Sequence, residues 1–181
     1  MQQVRYSGLA MLLHWLIAAA VIANFIIPDT LEDLPHEQFM DAMWPHKALG
    51  LVIFVLVLLR LAWRLVRTPP PLPASLKPWE RALAKTVHTA FYVILLAMPV
   101  VGYVANSYDG SDVNLFGLFT VRRLPVAADD IFAHRLFHLH GTVGTLLLVL
   151  IGLHVLGALK HQFIDRNGDL YRMLPFGAPK R

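Results

Sequence analysis

The stretch HLHGTVGTLLLVLIGLHVLGALKH, residues 138–161, reads as one apolar helix, yet it carries four histidines. A histidine inside a bilayer is costly and needs a reason to be there. On an ideal helix His140 and His154 are about 40° short of four full turns apart and about 21 Å apart along the axis. Both therefore point into one seam, one near each face of a membrane.

The rest of the chain agrees with a membrane setting. Of 181 residues, 56% are hydrophobic and 15% charged, and the mean hydropathy is +0.54, more apolar than an average soluble domain. No basic leader with a short apolar run and a small-residue cleavage site opens the sequence, so the first apolar segment is expected to be kept as a span and the mature protein to start near Met1. Cysteine is absent, which excludes disulfides, iron–sulfur clusters, thiolate metal sites and haem attached through Cys-x-x-Cys-His. Metal chemistry in this chain falls to histidine.

Four stretches are long enough to cross the hydrocarbon as helices: about 9–28, 48–66, 87–105 and 137–159. The expected fold is an all-α integral membrane four-helix bundle in a single domain over residues 1–181. The proline-rich TPPPLPASLKP, residues 68–78, is a stiff connector, because proline lacks the amide donor a helix requires. An even number of spans puts both termini and the 67–86 loop on one side. Arg5, Arg60, Arg64, Arg67, Lys77, Arg81, Lys85, Lys160, Arg166, Arg172, Lys180 and Arg181 lie there, against Lys47, Arg122, Arg123 and Arg135 opposite. By the positive-inside rule the termini are cytoplasmic, in a bacterial inner membrane. The basic pI of about 9.6 therefore reflects membrane sidedness and implies no nucleic-acid partner.

This orientation gives each histidine a depth. His14 and His154 lie at similar depth near the cytoplasmic side, and His46 and His140 near the outer side. Two imidazoles from facing helices can fill both axial positions of one haem iron, so the levels would suit two stacked bis-histidine haems b, the alternative being interfacial or helix-bridging histidines. Ala18, Gly50 and Gly144 each lie four residues after one of these histidines, on the same helix face, and would leave room for a flat macrocycle or serve close helix packing.

Several segments together resemble the bacterial cytochrome b561 family: LLHWLIAAAVIANF, WPHKALGLVIFVLVLLRLAWRL, the proline-rich loop, KTVHTAFYVILLAMPVVGYV, and HGTVGTLLLVLIGLHVLGALKHQF leading to DLYRMLP. The resemblance runs through nearly the whole chain, weakest at 106–135. It implies that His14 and His154 ligate the cytoplasmic-side haem and His46 and His140 the outer one, and that the chain is an oxidoreductase of the superoxide oxidase type. It also implies a superoxide donor, or another small periplasmic one-electron donor, with ubiquinone as acceptor.

Other residues are expected around these centres. His88 and His161, with Trp15 and Lys160 nearby, are candidates for a quinone or propionate contact, histidine titrating in the range proton delivery needs, or are snorkelling residues at span ends. Arg60 and Arg64, four apart, would face propionates or lipid headgroups. Lys47 and Arg135, with Arg122 and Arg123, would form a local positive funnel on an otherwise acidic outer face, or neutralise propionates. His36, His134 and His138 read as surface residues. The alternative to the superoxide reading is a quinol-linked electron conduit to a periplasmic or membrane redox partner. The lack of a long extension at either end leans against an obligate protein partner. A third reading is a haem-handling or purely structural bundle.

Overall fold

The computed structural model describes residues 5–73, 75–166 and 168–176. Its elements are α1 (Gly8–Leu31), α2 (His36–Ala42), α3 (Trp44–Val66), α4 (Pro78–Tyr108), β1 (Val113–Leu115), β2 (Phe119–Val121) and α5 (Asp130–Leu159), followed by a π-turn at Lys160–Ile164 and a short 3₁₀ turn at Asp169–Arg172. Four helical segments, the second running through α2 and α3, are long and apolar enough to cross a membrane. Many of their large apolar side chains are exposed, among them Leu12, Val55, Val93 and Leu156. That is the expected surface of a bundle whose solvent is lipid.

Local chemistry sets the helix ends. Ser7 Oγ accepts a hydrogen bond from Ala10 N–H at the start of α1, and Asp129 Oδ1 accepts from Phe132 N–H at the start of α5, each satisfying an amide the first turn leaves orphaned. Glu80 accepts from Lys77 N–H, and Pro78 opens α4, where a missing amide costs nothing.

The helices extend beyond the spans read in the sequence, furthest at two ends: α4 begins at Pro78, before the span read from about 87, and α5 at Asp130, before the span read from about 137. His88 is consequently almost three turns inside its helix, and His140 likewise. Nor is the chain purely helical among its described residues: β1 and β2 pair antiparallel, Leu115 opposite Phe119. Phe116 and Gly117 both take positive φ, 53° and 76°, as a tight hairpin requires. This hairpin packs on α3, with the rings of Trp44 and Phe116 edge to face at 5.9 Å.

The bundle core lies midway along the helices, where Ile17 and Val21 of α1, Ile53 and Val57 of α3 and Leu147 of α5 form one buried cluster, with Phe91 and Leu95 of α4 against it. At the termini end the segments flanking the bundle are tied together. Tyr6 N–H donates to Arg172 O, Arg5 Nε to Tyr171 O, and Arg172 Nη2 to Pro71 O, so the N-terminal segment, the C-terminal segment and the proline-rich connector share one hydrogen-bonded plate.

Candidate functional site

Each spanning helix repeats its inward-facing position every seven residues: 14 and 21 on α1, 46, 53 and 60 on α3, 88, 95 and 102 on α4, and 140, 147 and 154 on α5. A seven-residue step returns to nearly the same face, the geometry by which bundle helices pack. Three layers result. The central layer is the apolar cluster, and a polar layer lies on each side of it.

In the layer nearer the termini, the rings of His14 and His154 lie 6.2 Å apart between centroids, with His88 5.6 Å and Phe91 5.4 Å from His154, both edge to face. The Arg60 guanidinium acts electrostatically on His14, His88 and His154, while its Nη1 donates to Ala10 O at 2.6 Å. Trp15 stacks edgewise on His14 at 5.1 Å and its indole N–H donates to Met173 O. Trp15 therefore ties the C-terminal segment over this layer.

In the opposite layer the rings of His46 and His140 are 6.0 Å apart. His46 Nδ1 lies 2.9 Å from the Asn24 carbonyl oxygen. A carbonyl only accepts, so Nδ1 carries the proton and Nε2 keeps the lone pair, the state a metal ligand needs. His140 rests on Gly102, where an added Cβ would come within 3.2 Å of Cε1 and 3.4 Å of Nδ1. That buried Nδ1 faces the Met98 backbone without making a bond of full hydrogen-bonding geometry.

The two spacings suit an ion between the rings. Two metal–imidazole bonds of about 2.0 Å laid end to end, with a ring radius at each end, separate centroids by roughly 6 Å. Beside His46, a Cβ added at Gly50 would meet nothing within 4 Å, which leaves the space a planar group requires. At Gly144 a Cβ would touch Phe25 and Met98, so of the two roles read for this glycine the structure favours close helix packing.

The remaining sequence candidates are spread over both ends. The π-turn breaks the helical phase before His161, whose Nδ1 pairs with Asp165 at 2.6 Å. Lys160 bridges Glu80 of α4 and Asp165. His161 thus joins an ion-pair network at the end of α5 rather than the ring cluster of His14, His88 and His154. At the far end, Lys47 is half-buried and interacts with the carboxylates of Asp109 and Asp41. Arg122, Arg123 and Arg135 are exposed; Tyr103 donates to Arg122 O and Arg123 N–H to Asp112 Oδ1, both backbone atoms of the arginines, leaving these guanidiniums on the surface. His36, His134 and His138 are exposed as expected.

Sequence reasoning missed Asn24, Gly102 and Glu80. The spacing 88–95–102 marks Gly102 as the α4 counterpart of the interior histidine positions, a signal present in the sequence. Asn24 acts through its backbone carbonyl, which no side-chain pattern reveals.

A helical bundle of four spans with histidine pairs level with one another in its interior is the architecture of a membrane redox protein. The sequence profile of prokaryotic cytochrome b561 matches residues 5–176. The chain is 33% identical over 175 residues to cytochrome b561 homolog 2 of Escherichia coli strain K12, covering 94% of this chain and 91% of that protein. It is 27% identical over 171 residues to a probable superoxide oxidase, CybB, of Yersinia pestis, covering 94% and 96%, and 24% identical over 173 residues to E. coli cytochrome b561 homolog 1, covering 94% and 97%. The chain belongs to the prokaryotic cytochrome b561 family. It is a multi-pass bacterial membrane protein of electron transfer, of a family that binds b-type haem.

Proposed function

We propose that the chain holds two haem b groups, one between His14 and His154 and one between His46 and His140, and carries electrons from superoxide, or another small periplasmic one-electron donor, to ubiquinone. The observation that carries this is the pair of interior histidine couples at 6.2 and 6.0 Å, each spaced for one iron and separated by an apolar layer. The name of the Yersinia pestis relative, a probable superoxide oxidase, supports the choice of donor. A haem b held by each histidine pair would supply one-electron redox chemistry.

The chain's own residues arrange the ends. Two superoxide anions lose one electron each and leave as dioxygen, and ubiquinone takes two electrons and two protons to become ubiquinol. With the termini in the cytoplasm, as the basic residues indicate, Lys47, Arg135, Arg122 and Arg123 lie on the periplasmic side and draw the anion locally towards the His46–His140 layer. Nine of the 12 acidic residues fall on that same side, so attraction is confined to the mouth. At the cytoplasmic layer His88 is placed to hand a proton to a quinone oxygen or to hold a propionate. Trp15 packs on His14 and ties the C-terminal segment over this layer, while His161, paired with Asp165, stands apart from it.

Stopped-flow spectroscopy tests the reading: the reduced haem band is followed on adding superoxide and then a soluble ubiquinone analogue. Fast reduction followed by quinone-dependent reoxidation is the expected result. Haems that ignore superoxide but accept electrons from quinol would replace this reading with a conduit to a redox partner.

A further inference from the structure

Arg60 and Arg64 lie four residues apart on one side of the last two turns of α3, and Arg67 is the extended residue that caps its end. They border a cavity of about 440 Å³ at the termini end of the bundle, walled also by Tyr6, Trp63 and Tyr92. Among the described residues, none of these three guanidiniums has a carboxylate within ion-pair distance. Two are instead held by aromatic rings, Arg64 over Tyr92 and Arg67 over Trp63, each 5.9 Å from the ring centroid, and Trp63 is itself fixed by its indole N–H donating to Ser7 Oγ. Three cations in fixed positions around one cavity repel one another and call for an anion with several acceptor oxygens.

The site also fixes where that anion comes from. Leu65 is 81% and Val66 74% exposed in the same turns, Val66 lining the cavity itself. An apolar wall beside a cationic cavity at the end of a span suits a headgroup whose acyl chains run down the helix. A neutral quinone headgroup has two carbonyls to satisfy and no charge to offset three guanidiniums. Arg60, turned towards the histidine layer, acts on all three of its histidines and Arg64 on His88 alone, whereas Arg67 stands two turns beyond Arg60 towards the surface.

We propose that this cavity binds the phosphodiester headgroup of an anionic glycerophospholipid, with Arg64 and Arg67 as the charge pair that selects it and Tyr6, Trp63 and Tyr92 as its walls. The assignment does not rest on the electron-transfer reading. Native mass spectrometry of the purified haem-loaded protein, titrated with phosphatidylglycerol and with phosphatidylcholine, tests it. Retention of phosphatidylglycerol in preference to phosphatidylcholine is expected, and the R64Q/R67Q variant should weaken that retention about tenfold or more, with haem content and absorption spectrum unchanged. The R64K/R67K variant, which keeps the charge but not the fork-shaped donors, should fall between the two. Equal retention of the two lipids by the wild-type protein overturns the proposal without recourse to any variant. So does inorganic phosphate that displaces phosphatidylglycerol at millimolar concentration, which makes the site one for a free anion. Haem loss in R64Q/R67Q with lipid retention intact assigns the arginines to haem propionates, and displacement of the lipid by a short-chain ubiquinone assigns the cavity to the quinone; either outcome overturns the proposal.

Discussion

Gly102 and Gly50 illustrate how one missing methyl group can serve two different purposes in adjacent helices. At Gly102 the space is already taken by the His140 ring, 3.2 Å from where a Cβ would sit. Gly102→Ala must therefore shift the imidazole by a few tenths of an ångström, and by displacing that ring it should lower haem content. At Gly50 a Cβ meets nothing. There Gly50→Ala should leave the haem-free chain as stable or up to about 1 kcal/mol more stable, through helix propensity, while reducing haem retention if the bound group fills that space. Thermal unfolding of haem-free and haem-loaded protein separates the two cases; equal haem retention in Gly50→Ala and wild type would remove the void beside His46 from the site.

At the scale of the element, the junction between α4 and the end of α5 rests on Lys160, bonded to Glu80 and Asp165, with His161 bonded to the same Asp165. Glu80→Gln should lower the midpoint of thermal unfolding by a few degrees. In a double-mutant cycle with Lys160→Met the losses should be less than additive, since both changes remove one interaction. Lys160, and then His161, hold the Asp165 carboxyl below its usual value of 3.8. A carboxyl whose pKa is depressed on folding contributes stability that is fully present above its unfolded value and is lost as the pH falls through the folded one. Wild type should thus exceed Asp165→Asn in unfolding midpoint at pH 6 and converge with it as the pH drops below about 3.8. A difference that stays constant as the pH falls would show that Asp165 acts through packing. This junction was invisible in the sequence because hydropathy registers where a helix meets hydrocarbon, whereas backbone hydrogen bonding carries the helix on into water. Residues 78–86 and 130–136 are too polar to be read as span yet helical in structure. The hairpin escaped for a different reason, its three-residue strands being too short to show alternation, and the π-turn at Lys160–Ile164 has no sequence signature. The number of spans and the levels of His14, His46, His140 and His154 were legible because both follow from the 1.5 Å rise and 100° turn of a helix in a slab of fixed thickness.

The whole molecule joins two polar layers through an apolar centre, and the two ends differ in electrostatics. If each layer holds one haem, His14→Ala and His46→Ala should each reduce the haem content from two per chain to one, and the two residual spectra should differ, because Arg60 stands over one layer and Lys47 beside the other. A single variant that abolishes both haems would contradict separate sites. The far end also carries an internal opposition. Lys47 is half-buried and feels the carboxylates of Asp109 and Asp41, which offset part of its field, whereas Arg135 is exposed. Screening over a Debye length of about 10 Å at 0.1 M salt separates a local field from a global one. Arg135→Gln should slow haem reduction by superoxide several-fold at 10 mM salt, Lys47→Gln should slow it less, and both differences should close by 0.5 M salt. Neutralising Asp109, by contrast, should release the Lys47 charge and raise the low-salt rate. A rate for all three variants that is independent of salt would place the donor's encounter elsewhere on the molecule, since a mouth this close to nine carboxylates attracts an anion only through charges that outweigh them nearby.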